Sequence, residues 1–259
     1  MKALIYIFFT LSSLQVFSQS QPLDPKPFET KKHSKDASKT TIFAKQQNNS
    51  VRQNHMPLKN STDSFNEDEK KIILTGNVTD KLHVYQITDE KERTVLTAKS
   101  HDIRYDDPLI KTLADRMLVT VEDPEHPGVG IAAPQVGINR NLIWVQRFDK
   151  AGTPFEFYIN PKIIWYSKLS RKGAEGCLSI PDRKEEIERS YAIRIQYCTP
   201  DGNIKEENVE GFTAVIFQHE TDHLLGILYP DRLEEQSQKE RVPLNENIPF
   251  SIEKGNTLP

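Results

Sequence analysis

The sequence has 259 residues, 36% of them apolar, which is enough for one domain of ordinary size. A net charge of −3 gives no indication of the concentrated basic surface that nucleic acid or an anionic membrane attracts, so we expect no nucleic-acid partner. The only two cysteines, Cys177 and Cys198, exclude a disulfide scaffold, because at most one bridge could form.

The first residues are typical of a secretory signal peptide, which we predict over 1–18. Lys2 precedes a mostly apolar run, Ala3–Phe17, and Val16 and Ser18 occupy positions of small residues before a cleavage site. The run is shorter than the about 20 residues that span a bilayer as a helix. We expect export, to a bacterial periplasm, with no stable membrane span after cleavage. An uncleaved membrane anchor and a cytoplasmic location are the alternatives.

A polar segment follows. Residues 19–70 are rich in Lys, Asn, Ser, Gln and Thr and cannot bury enough apolar surface to offset the entropy lost on ordering, so we predict a disordered linker. Between residues 71 and 98, short β-rich runs are separated by Asn77, Asp80 and Asp89. Such runs predict an N-terminal β extension, a hairpin against the domain that follows.

Residues 99–236 form the predicted main domain. Asp107 and Pro108 begin a helix whose apolar residues recur at helical spacing and end before Pro124. A second helix is predicted over 212–225. The β-rich runs between the two helices are Asn141–Phe148, Phe155–Tyr158, Lys162–Tyr166 and Tyr191–Cys198, the last leading into a Pro200-Asp201-Gly202 hairpin turn.

These elements indicate the α+β class, because strands and helices do not alternate regularly. We expect antiparallel β-sheets packed around a central helix, the second of the two. Apolar residues surround that helix on all sides, which is typical of a buried helix. The charged, proline-containing residues 237–259 predict a loosely ordered tail.

The predicted central helix carries a His-Glu-x-x-His pattern, formed by His219, Glu220 and His223. Residues four apart on an α-helix differ by about 40° around the axis and about 6 Å along it, so both imidazoles point the same way. Glu220 lies beside them, within reach of a metal-bound water. The pattern therefore predicts a metal site on this helix.

A catalytic metal also needs a third protein ligand, and the residues alone leave its identity open. Tyr229 stands where a metzincin would have its third histidine. Cys177, in the segment Glu-Gly-Cys-Leu-Ser, is a thiolate candidate. A downstream glutamate would instead make the chain a His-Glu-x-x-His metallopeptidase, and the available ones are Glu234, Glu235, Glu240 and Glu246.

A third segment, Gly128–Gly137, is dense in glycine and small residues. Its match to a dinucleotide-binding fingerprint is weak, because no apolar strand precedes it. In order, Gly-x-Gly-Ile-Ala-Ala-Pro-Gln, Glu-Gly-Cys-Leu-Ser and Gln-His-Glu-x-Asp-His resemble the three motifs of the peptide deformylase family. The resemblance runs from about Tyr105 to Leu233, and Ile131 stands where the family usually has leucine.

The resemblance implies hydrolysis of the formyl group of formyl-methionyl peptides, by attack of a metal-bound water. It implies one divalent metal ion, natively Fe(II), with zinc or nickel as substitutes, held by Cys177, His219 and His223. Glu220 would be the general base and acid. Gln135 and the Leu178 N–H would donate hydrogen bonds to the oxyanion.

By the same resemblance, the partners are N-formyl peptides, or the N-termini of nascent or exported proteins. The substrate-binding residues would be Gly130, Val129, Val215 and Ile216. An inactive exported relative that only binds peptide ends is a further alternative. Glu175 and Asp222 are candidates for orienting the ligands, and under strong oxidant Cys177 could pair with Cys198.

Overall fold

The computed structural model describes residues 64–245 and 247–257. The predicted signal peptide and most of the predicted linker lie outside these ranges. None of the described helices is long and apolar enough to cross a membrane. The described helices are α1 (Glu67–Leu74), α2 (Glu90–Leu96), α3 (Ile110–Val121), α4 (Gly211–Leu224) and α5 (Tyr229–Ser237). The described strands are β1 (Gly130–Ala132), β2 (Leu142–Gln146), β3 (Phe155–Tyr166), β4 (Ser170–Cys177), β5 (Ile180–Ser190), β6 (Ala192–Cys198), β7 (Ile204–Glu210), β8 (Arg241–Pro243) and β9 (Phe250–Glu253).

The strands form two sheets, in the orders β1-β2-β3-β6-β7 and β5-β4-β9-β8. Every neighbouring pair within them is antiparallel. The predicted α+β class with antiparallel sheets is therefore confirmed. Helix α4 packs against strands of both sheets, so its side chains face the space between them.

The larger sheet separates two apolar clusters, because successive side chains of a strand point to opposite faces. On β2, Leu142 joins the cluster that contains the α3 residues Leu113 and Met117. The next residue, Ile143, joins the cluster that contains Phe217 of α4. Helices α3 and α4 thus cover opposite faces of the five-stranded sheet, and both are predicted in the sequence within a few residues of their observed ends.

Strand β3 is continuous, whereas the sequence predicts two separate runs. Its pairing with β6 shifts register between Ile159 and Lys162, where Asn160 adopts a positive φ of 50°. Asparagine tolerates this left-handed conformation, and its side-chain amide exchanges two hydrogen bonds with the backbone of Ile103. The break between the two predicted runs, Phe155–Tyr158 and Lys162–Tyr166, is thus an irregularity inside one strand.

The predicted β extension over 71–98 is wrong, because this segment contains helices. Asn66 and Glu69 form a reciprocal capping box at the start of α1, and Asp89 caps α2 by accepting hydrogen bonds from two backbone N–H groups. The predicted linker also ends earlier than residue 70. Phe65 is already 2% exposed and belongs to the core.

Two arginines of the main domain hold α1 in place. Arg140 donates to both carboxylate oxygens of Glu69, at 3.0 and 3.1 Å from Nε, and both residues are buried. Arg116 donates to the carbonyls of Ile72 and Ile73, in the last turn of the helix. Helix α1 is therefore part of the folded domain.

The predicted loosely ordered tail is also wrong over two segments. Strands β8 and β9 form a hairpin, and β9 pairs with β4 through Ser170 and Ser251. Arg241 strengthens this contact, because it lies 3.3 Å from Glu188 and donates to the Ser170 hydroxyl. The pairing satisfies backbone groups that the edge of β4 would otherwise expose.

Replacing Glu69 by glutamine should destabilise the domain. The substitution leaves the buried Arg140 guanidinium without its carboxylate, which we expect to cost about 3 kcal/mol in the free energy of unfolding, measured by urea denaturation. The matched control is Glu67→Gln on the same helix, where the side chain is exposed, and a change below about 0.5 kcal/mol is expected. Equal losses from the two variants would show that the buried pair has no special role.

Candidate metal centre

Helix α4 presents the two histidines and Glu220 in the space between the sheets. Ala214, Phe217 and Leu224 pack into the apolar cluster, which fixes the rotation of the helix about its axis. His223 and Glu220 are buried, and the imidazole rings of His219 and His223 lie 5.1 Å apart. The convergence that the helical spacing predicts is therefore present.

The end of β4 brings Cys177 to these rings. Gly176 pairs with Lys184, but Cys177 pairs with Ile180, so β5 contains extra residues that bulge at this point. The Cys177 Sγ lies 3.2 Å from Nε2 of His223. Ligand atoms of Cys177, His219 and His223 all lie within 4.8 Å of one another. A shared metal ion would bring such atoms about 3.5 Å apart, given metal–ligand bonds near 2.0–2.3 Å.

Glu175 orients one of the rings. Its Oε2 lies 2.9 Å from Nδ1 of His219, which leaves Nε2 of that ring for a metal. Burial alone would raise the pKa of Glu175, but hydrogen bonds from Arg189 and His219 outweigh burial and hold that pKa at about 2. The carboxylate therefore stays charged, as the expectation for Glu175 requires.

Asp222 pairs with Arg189, the arginine that also binds Glu175. Arg189 donates to both oxygens of Glu175 and to Asp222, with its side chain 5% exposed. Arg232 of α5 also donates to both oxygens of Asp222. Two carboxylates and two guanidinium groups thus connect β4, β5, α4 and α5 behind the metal ligands.

Glu220 is held in close contact with β1. A Cβ atom on Gly130 would lie 2.5 Å from Oε1 of Glu220, closer than real Cβ contacts, so a larger residue at this position would have to displace the Glu220 side chain. Glu220 is 3% exposed, and burial raises its pKa to about 7, with Glu175 adding to the rise and His219 opposing it. A carboxyl group in this environment is suited to exchange a proton near neutral pH.

The two predicted oxyanion donors lie beside the thiol. Gln135 accepts a hydrogen bond from the Ala132 N–H through Oε1, which turns its Nε2 towards Sγ of Cys177, at 3.5 Å, and Oγ of Ser179, at 3.3 Å. Leu178 directly follows the cysteine in the turn between β4 and β5. The three sequence segments of the site therefore meet in space.

The predicted substrate-contacting residues differ in burial. Gly130 borders Glu220. Ile216 is 3% exposed and packs in the core cluster, and half-buried Val129 packs against that cluster. Val215 is half-buried on α4. A role for these residues in substrate binding remains a prediction.

Two further residues at the site, Arg189 and Ser179, are not predicted from the sequence. Arg189 lies in the charged run of β5, where nothing distinguishes it from its charged neighbours. Ser179 is fully buried and is the last residue of the Glu-Gly-Cys-Leu-Ser segment, so its position in that motif is the only sequence signal for it.

The residues present fit one divalent metal ion. A thiolate and two imidazoles supply three ligands and leave one position open for water, which is the arrangement of a catalytic site. Within the described part of the chain, Oε2 of Glu220 and Nδ1 of His223 are buried without a hydrogen-bond partner. A buried acceptor such as Oε2 is normally satisfied by water or an ion.

Comparison with known proteins decides the family. Residues 82–239 match the protein-family model described as polypeptide deformylase. The chain belongs to the peptide deformylase family. The resemblance drawn from the three motifs is confirmed, and the matched range includes the three proposed metal ligands together with Glu220 and Gln135. The activity is that of an amidohydrolase that releases formate from N-formylmethionine.

Individual relatives agree with this assignment. A peptide deformylase of Prochlorococcus marinus is 36% identical over 167 residues, covering 64% of this chain and 79% of that protein. One of Rhodopseudomonas palustris is 42% identical over 127 residues, covering 48% of this chain and 71% of that protein. The class I type b peptide deformylase of Acinetobacter baumannii, solved with Met-Ala-Ser bound, is 34% identical, with a TM-score of 0.52 over 60% of this chain and 99% of that one.

The downstream glutamates do not join the ligand set in the part of the chain that the structure describes. Glu235 bonds Arg232 and Lys239 instead, and Glu240 bonds Lys254. Glu246 lies outside the described residues. In the described ranges, the Cys177, His219 and His223 group contains no carboxylate.

Replacing Gly130 by alanine should displace the Glu220 carboxylate, because the new Cβ would overlap it. We expect kcat for formate release to fall about 100-fold, since a shift of about 1 Å at a reacting group has effects of this size. The matched control is Gly173→Ala, where a Cβ would meet nothing within 4 Å. Comparable activity of the two alanine variants would contradict the close approach of Glu220 to β1.

Proposed function

We propose that this enzyme hydrolyses the formamide of formyl-methionyl peptides at the centre formed by Cys177, His219 and His223. The observation that carries the proposal is the convergence of these three ligand atoms within 4.8 Å, beside a buried Glu220 carboxylate. An alternative metallopeptidase centre would need a carboxylate ligand. Glu235 and Glu240 pair with other residues, and within the described ranges the ligand group contains no carboxylate.

Cys177, His219 and His223 would hold the metal ion, for which we propose Fe(II), with zinc or nickel as substitutes. A metal ion bound there would polarise the formyl carbonyl and lower the pKa of a water molecule. Glu175 would keep His219 in the tautomer that leaves the Nε2 lone pair free to hold a metal ion, because Nδ1 donates to the Glu175 carboxylate. The thiolate supplies a negative charge and thereby lowers the net charge of the centre.

Glu220 would move the proton. Its unpartnered Oε2 takes a proton from the attacking water and then delivers it to the nitrogen of the leaving methionine. One water is consumed, the C–N bond of the formamide breaks, and formate and a free amine result. A carboxyl group whose pKa is raised towards 7 can perform both transfers in one cycle.

Gln135 and Leu178 would stabilise the negative charge that develops on the formyl oxygen. The Gln135 Nε2 already points to the cysteine loop, and its orientation is fixed through Oε1 by the Ala132 N–H. The backbone N–H of Leu178 follows the cysteine directly. Preorganised donors of this kind contribute about 3 kcal/mol each to transition-state stabilisation.

The peptide part of the substrate would bind along β1. This strand is at the edge of the five-stranded sheet, so its outer backbone groups can pair with an added strand. Gly130, which begins β1, borders Glu220, and this places an added strand next to the proton-transferring group. The binding of Met-Ala-Ser by the Acinetobacter baumannii relative supports a peptide ligand here.

The decisive experiment measures formate released from formyl-Met-Ala-Ser by protein loaded with Fe(II) or nickel. We expect turnover by the wild type. Glu220→Gln should keep the metal and lose about 100-fold or more in kcat, because the proton acceptor is gone. Cys177→Ser should lose metal content. Metal-loaded protein that cleaves the peptide bond instead, or binds the peptide without releasing formate, would reject the proposal.

We also propose that the mature enzyme is exported, which rests on the signal-like pattern of residues 1–18. The expected outcome is a mature chain that begins after Ser18 and is recovered from the periplasmic fraction, as measured by intact mass. A chain of full mass in the cytoplasm would overturn this proposal and would leave the deformylase activity unaffected.

A further inference from the structure

A short segment, Tyr85–Ile87, forms hydrogen bonds with both loops that carry the proposed oxyanion donors. The Tyr85 N–H donates to the carbonyl of Gln135 at 2.8 Å. Two residues later, the Ile87 N–H donates to the carbonyl of Ser179 at 3.0 Å. The segment therefore connects the residue that carries one donor to the turn that carries the other.

The side chain of Gln86 adds a contact on the same turn. Its Nε2 donates to the carbonyl of Leu178 at 3.0 Å and to the carbonyl of Val84 at 3.1 Å. Only the NH₂ end of an amide can lie between two carbonyl oxygens, so these two contacts fix the orientation of the amide. The carbonyls of Leu178 and Ser179 are thus both held from the side of this segment.

Helix α2 in turn holds Gln86. The Gln86 N–H donates to Oε2 of Glu92 at 2.6 Å, and Oε1 of the same carboxylate lies 2.6 Å from Nε2 of His83. Glu92 is in the first turn of α2, which Asp89 caps. The half-buried Gln86 is therefore fixed on both sides, by a helix start and by the cysteine turn.

We propose that Gln86 is a positioning residue for the oxyanion site, acting through the carbonyl of Leu178. The inference rests on the proposed role of the Leu178 N–H as a donor. That N–H lies in the peptide plane between Cys177 and Leu178, at the start of the turn whose next two carbonyls, those of Leu178 and Ser179, are held by these hydrogen bonds. A donor that is fixed before the reaction stabilises the developing charge without a cost of reorganisation.

The test compares Gln86→Met with wild type. Methionine has a similar length but no N–H donor, so the turn loses one anchor while the metal ligands stay unchanged. We expect kcat and kcat/KM to fall together, about 10- to 100-fold, with KM unchanged, which is the pattern of an interaction made in the transition state. Metal content should equal that of the wild type.

The matched control is Gln236→Met. Gln236 is also a part-buried glutamine bonded to a backbone carbonyl, that of Glu188, but it lies on α5 away from the donors. Its loss should lower the melting temperature and leave kcat unchanged. A second variant, Gln86→His, restores an N–H donor and should recover most of the lost kcat.

Each outcome separates the hypotheses. Wild-type protein with bound metal that releases no formate would reject the proposed function itself. If the wild type is active and Gln86→Met is equally active, only the role of Gln86 is overturned. A change confined to KM, or the same loss of kcat in the Gln236→Met control, would also overturn that role. If Gln86→Met fails to fold, the Gln86→His variant provides the test. A kcat close to the wild-type value supports the positioning role of Gln86, and a large loss of kcat despite full metal content opposes it.

Discussion

Arg189 links the strand that carries the thiol to the helix that carries the imidazoles. Its guanidinium donates to Glu175, two residues before Cys177, and to Asp222, one residue before His223. These charges are buried, and buried charges stabilise only when they are paired and hydrogen-bonded. Arg232 also pairs with Asp222, so the network contains two positive and two negative groups. The relative position of sulfur and imidazole therefore depends on this network.

Three separate parts of the chain build the site, and each is supported from outside it. The α4 helix is fixed by its apolar contacts, the cysteine turn by the bulge in β5, and the Gln135 segment by the Ala132 N–H. The Tyr85–Ile87 segment connects the last two. Supporting hydrogen bonds of this kind reduce the motion of groups that must hold their geometry to within about 0.5 Å.

The sequence predicts much of the site because its motifs contain local geometry. Two histidines four residues apart on a buried helix must point the same way, and the resemblance supplied the thiolate as the third ligand. The sequence predicts strands where the short helices α1 and α2 lie. The capping side chains of these helices favour helix more than the brief β-rich composition favours strand. Arg189 and Gln86 could not be recognised, since each acts through partners that are distant in the chain.

The positions of the two cysteines bear on whether the folded chain can form an internal disulfide. Cys198 is buried in the cluster that includes Ile159, whereas Cys177 packs against a different cluster near Tyr229. Neither forms a disulfide. Cys177 ends β4 and Cys198 ends β6, which belong to different sheets, and a disulfide needs its two Cα atoms within about 7 Å. The folded chain thus places the sulfur of the proposed metal centre in a different sheet from its one possible internal disulfide partner.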